Sequence, residues 1–75
     1  MNKEKITAIK RDNLDRIIEF KTNSDKIYNY EMAKEAINFG IIDNAFIIND
    51  KNNLSHIIEK GKSSVKDSFK NLEEF

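Results

Sequence analysis

The 75-residue chain has no cysteine, no proline and no tryptophan, only two glycines and a single histidine. Each absence closes a class of explanation. Without cysteine there is no disulfide framework, no thiolate nucleophile and no cysteine-ligated zinc. The lone His56 excludes a set of three histidine ligands from one chain. Gly40 and Gly61 stand apart, so no glycine-rich loop is there to cradle a phosphate. No apolar run approaches the roughly 20 residues of a membrane span. Met1-Asn2-Lys3-Glu4-Lys5 lacks the apolar stretch of a signal peptide. These two points lead us to expect a cytoplasmic chain with no membrane partner.

An excess of one charge is also missing. Thirteen basic residues balance thirteen acidic ones, and the isoelectric point is about 6.6. Nucleic-acid-binding domains ordinarily lie above about 9. What the chain has in quantity is Ile, Asn and Lys, which make 33 of the 75 residues, and Lys outnumbers Arg eleven to two. Their codons are A/T-rich. A low-GC bacterium, or a phage or mobile element living in one, is the natural source. The 29 hydrophobic residues suffice for one core, so a single domain over 1–75 is expected, with ordered residues from about 5 to 72.

Ile6 to Lys10 is rich in β-formers and reads as a strand. Asp12 to Asp15 suits a turn, and Arg16 to Lys21 reads as the returning strand. Thr22 to Asp25 is a second turn, and Lys26-Ile27-Tyr28 a short third strand. Asn29 is placed to cap a helix over about 30–39, with Glu31 in its first turn and Ala33, Ala36 and Ile37 as its apolar stripe. Gly40 ends it. Asn44 to Asn49 and Leu54 to Glu59 read as two more strands around the turn Asp50 to Asn53. After Gly61, Ser63 or Ser64 caps a short C-terminal helix with Val65, Phe69 and Leu72 at helical spacing. The expected fold class is therefore α+β, in the order ββ-α-ββ-α. It has an antiparallel sheet of 4–5 strands, one central helix and a short C-terminal helix.

Residues 12–21 (DNLDRIIEFK) resemble residues 52–61 (NNLSHIIEKG) at an offset of 40, which suggests two hairpin–helix units. A composition this rich in Ile and Asn also raises chance matches. The doublets Ile17-Ile18, Ile47-Ile48 and Ile57-Ile58 place one isoleucine on each face of a sheet. A sheet apolar on both faces needs cover on both. The central helix covers one. The C-terminal helix or a second copy of the chain covers the other, which makes Ile17, Ile48, Ile58, Phe69 and Leu72 the candidate interface.

Ile6-Thr7-Ala8-Ile9, the basic pair Lys10-Arg11 and Asp12-Asn13 resemble the opening of a small uncharacterised bacterial family, domain-of-unknown-function family 3892. The likeness extends through Asn29, Ala33, Ala36, Gly40 and Ile42, then Asn44 to Ile48, and is echoed by Asp67, Phe69 and Leu72. The family usually has Asp-Gly in the turn where this chain has Ser24-Asp25-Lys26, and Pro after the tail Leu where this chain has Glu73. The resemblance implies a fold and carries no known activity.

Chemistry finds little support. Ser55 neighbours His56 on a strand and faces the other way, so the two do not form a nucleophile–base pair. Asp12, Asp15, Asp25, Asp43 and Asp50 sit in turns, where carboxylates bond to nearby N–H groups. The run from Asp50 lacks the glycine of a calcium loop. No catalytic residue, cofactor site or metal site is expected. Lys3, Lys5, Lys10 and Arg11 form a candidate basic patch against Glu4 alone, although solvated surface lysines account for the same pattern. The reading is a non-enzymatic protein-interaction module that binds or occludes a partner and self-associates as a homodimer. The alternatives are a phage or mobile-element inhibitor of a host defence enzyme, of the anti-CRISPR type, and a weak nucleic-acid-binding regulator.

Overall fold

The structure is a computed structural model that describes residues 3–65 and 67–75. Met1 and Asn2, the first residues of the segment read against a signal peptide, lie outside the described residues. Six strands and one helix follow in the order β1 (Ile6–Arg11), β2 (Ile17–Thr22), β3 (Ile27–Asn29), α1 (Tyr30–Asn38), β4 (Ala45–Asn49), β5 (Ser55–Glu59) and β6 (Glu73–Glu74). They form two sheets. One is four-stranded in the order β3-β2-β1-β6, and the other is the β4–β5 ribbon.

This overturns the expected ββ-α-ββ-α layout in three respects. The strands form two sheets, the described residues of the C-terminal segment form turns instead of a helix, and they lead into a sixth strand. The sheet divides at Asn44, whose side-chain amide bonds both the N–H and the C=O of Ile6, at 2.9 and 3.1 Å. Just before it, Ile42 bridges Glu4 in parallel. Asn44 thus fills the place of the next ladder residue, and β4 turns away from β1 to pair with β5.

The C-terminal segment divides its hydrogen bonds between local turns and β5 instead of a helical ladder. The Ser68 hydroxyl accepts from Glu59 N–H at 3.0 Å and donates to Ser64 O at 2.8 Å. Phe69 N–H donates to the Glu59 carboxylate at 2.7 Å. Phe69 has φ +60, which no helix accommodates. Ser64 does cap one turn, through Asp67 N–H, but the turn does not propagate. Serines compete with helical hydrogen bonds through such local contacts. The chain then runs out along β1, where Phe75 N–H donates to Ile9 O at 2.9 Å.

The helix ends follow from their residues. The Asn29 side chain accepts Met32 N–H at 2.8 Å. At the other end Gly40, at φ +77, lets its own N–H reach Ile37 O and that of Ile41 reach Ala36 O, the paired bonds of a Schellman stop. Ala33 and Ala36 carry no bulk, so α1 lies close on the core. That core joins Ile6, Ile9, Phe20 and Tyr28 of the large sheet to Ala45 and Ile57 of the ribbon and to Phe69. Phe20 is fully buried, with the Tyr30 and Phe69 rings 5.7 and 5.6 Å away.

One turn design occurs three times, over Asp12–Arg16, Thr22–Lys26 and Asp50–Leu54. In each, the first residue's N–H and C=O are bonded by the fifth and fourth residues, and the fourth has positive φ: Asp15 +65, Asp25 +62, Asn53 +62. This is a type I turn closed by a left-handed residue. Asp12 and Asp50 add the same side-chain bonds, each carboxylate accepting N–H groups two and four residues on. The hairpins correspond as Asp12 with Asp50 and Asp15 with Asn53, two residues out of step with the sequence similarity that set Asn13 on Asn53. Among the described residues no helix follows the second one.

Candidate functional site

The candidate interface residues occupy different environments. Phe69 and Ile58 are 1% exposed, and Phe69 is part of the core. Ile17 and Leu72 are half-buried against that core. Ile48 alone of the five is well exposed, at 38%. The doubled isoleucines do split across faces, since Ile18 and Ile48 are turned outward while Ile17 and Ile47 pack inward. In the third doublet both members are buried.

Ile48 belongs to a continuous feature. On the outward side of the ribbon, Phe46 stands opposite Ile58 and Ile48 opposite His56. Phe46 is 37% exposed, and Leu54 beyond the turn is exposed as well. The two edges of this ribbon are treated differently. Lys60 N–H donates to Asn44 O, and Asp50 N–H to Leu54 O. With this register the even-numbered residues bond across the ribbon and the odd-numbered ones direct their N–H and C=O outward. On β5 those outward N–H groups are taken by side chains: Ile57 donates to the Tyr30 hydroxyl at 2.9 Å, and Glu59 to Ser68. On β4 the corresponding groups are those of Ile47 and Asn49, and those of Ala45, which is buried in the core. Among the described residues nothing bonds to them. From Asn44 to Asn49 the edge carries no charge and no proline, the usual devices that blunt an edge strand.

The candidate basic patch is dispersed and paired. Lys5 lies 3.1 Å from Asp43, Lys10 3.9 Å from Glu19, and Arg11 3.7 and 3.8 Å from Asp15 and Glu74. Lys5 and Arg11 stand at opposite ends of an extended strand, about 20 Å apart at about 3.3 Å per residue. Lys3 is exposed.

Polar clusters serve the fold. The Glu4 carboxylate accepts the hydroxyls of Thr22, Ser24 and Tyr28 at 2.6, 2.8 and 3.0 Å. The Thr22 bond most of all holds the Glu4 carboxyl below its usual range. Burial, aided by that carboxylate, pushes the Tyr28 phenol up. A carboxylate so occupied is a poor base. Sequence periodicity gives no signal for this cluster, because Glu4 reaches partners 18 to 24 residues away. The same holds for Tyr30 and Ser68 at the β5 edge.

His56 Nε2 lies 2.9 Å from Asp50 Oδ2, and Ser55 bonds to Asn49, so these two neighbours do point apart. The other Asp50 oxygen is taken by Asn52 and Leu54 N–H. Among the described residues no group of three His, Asp or Glu is gathered as a metal site would need. A shallow groove of about 440 Å³ runs along β6, lined by Thr7, Lys21, Asp25, Leu72, Glu73 and Phe75. No described helix is long and apolar enough to cross a membrane. No family model, no curated protein and no solved structure matches the chain.

Proposed function

We propose that this chain is a non-enzymatic interaction module that binds a protein partner along β4. One observation carries the reading: β4 offers a charge-free edge of unbonded N–H and C=O groups, flanked by the exposed side chains of Phe46 and Ile48. An incoming strand would gain main-chain bonds from Ile47 and Asn49, beyond the buried Ala45, and apolar contact from Phe46 and Ile48. A protein is favoured over nucleic acid because Lys5, Lys10 and Arg11 each sit beside a carboxylate. The setting inferred from the A/T-rich codons is a low-GC bacterial cell, where such an edge would equally serve a housekeeping partner or an occluded defence enzyme. The test is paired capture from a low-GC lysate with the wild type, Ile48→Lys and the control Lys10→Glu. A protein retained by wild type and control but lost with a folded Ile48→Lys is the expected result. Identical captures by all three would remove β4 from the account.

A further inference from the structure

We draw no further inference here: the strongest candidate, the two-residue strand β6 lying along β1 with Arg11 3.8 Å from Glu74 and Lys21 over the Phe75 ring, is the fold's own cover for that edge, and nothing in the structure shows that it lifts away or what would take its place.

Discussion

The β1–β2 and β4–β5 hairpins share a turn and differ in everything beyond it. Both open on an aspartate that accepts N–H groups two and four residues on, and both close on a left-handed residue. The β1–β2 pair is then shut in by strands, β3 on one side and β6 on the other. Its outward face is charged, with Lys10 opposite Glu19. The β4–β5 pair has no third strand. One edge is closed by two hydroxyls, the other is unbonded at Ile47 and Asn49 among the described residues, and its outward face carries Phe46 and Ile48. The comparison teaches that the turn fixes register, while what happens at the edges decides whether a hairpin is scaffold or contact surface.

The largest break in this comparison should come from the hydroxyls that close β5. Tyr30→Phe keeps the ring that packs on Phe20 but strips Ile57 N–H of its acceptor. Ser68→Ala does the same to Glu59 N–H and also frees Ser64 O. An unmet part-buried backbone group costs about 1–3 kcal/mol. On the enclosed hairpin, Thr7→Ala removes only an exposed 3.4 Å bond to Lys21 O and should cost less than about 0.5 kcal/mol. Urea unfolding of the three variants checks the order. Equal losses in all three would mean that the hydroxyl bonds do not close the edge.

The elements legible in the sequence are those that depend on neighbours in the chain. Asn29 and Gly40 bracket the helix by local bonds, and the turns at Asp12, Thr22 and Asp50 lie among polar residues that accept positive φ. The layout was not legible, because long-range side-chain bonds set it. Nothing local says that Asn44 will imitate a strand on Ile6, or that Ser68 will prefer Glu59 N–H to a helix. The segment after Gly61 had helical spacing, but its apolar residues do not share one environment: Val65 is exposed, Phe69 buried and Leu72 half-buried. β6 is Glu-Glu, a poor strand former, paired only because β1 had a free edge. The interface residues divided for the same reason. Ile58 and Ile48 look alike in sequence, and only the sheet's packing shows that one is covered and the other is not.

A subtler difference lies in the two turn aspartates. Both are held below their ordinary value of 3.8. For Asp12 the largest cause is the backbone N–H of Arg16, which almost any residue there supplies. For Asp50 it is the side-chain bond to His56. Carboxyl titration by NMR should therefore show Asp50 moving back up in His56→Phe by more than Asp12 moves in Arg16→Gln. A folded-state pKa below the unfolded one means that the unfolded chain binds more protons in acid. The stability from Asp12, Asp50 and Glu4 is thus present above about pH 4.5 and lost as pH falls through their depressed values. Tyr28 acts in the opposite direction. Its phenol is raised above 10.0, so its contribution is full below pH 10 and lost as pH rises through the folded value. The pH profile of thermal unfolding should slope down at both ends, and His56→Phe should flatten the acid side more than Arg16→Gln.

The smallest effects should come from the feature the hairpins share. Asp15, Asp25 and Asn53 hold the left-handed position of their turns with φ between +62 and +65. That conformation strains a residue with a Cβ, less for Asp and Asn than for others, whereas glycine adopts it freely but loses more entropy on folding. The balance favours glycine by roughly 0.5 kcal/mol where the side chain makes no other bond. Asp25→Gly and Asn53→Gly should each raise stability by about that amount. Asp15→Gly should gain less, because it forfeits the Asp15 carboxylate 3.7 Å from Arg11. Arg11 would keep Glu74 and the Asp15 backbone carbonyl, so the difference should be a few tenths of a kcal/mol, as for an exposed pair. Thermal unfolding of the three variants side by side resolves it. A larger gain at Asp15 than at Asn53 would show that the Arg11 contact strains the first hairpin rather than supporting it, and that the two turns are less alike in energy than in hydrogen bonding.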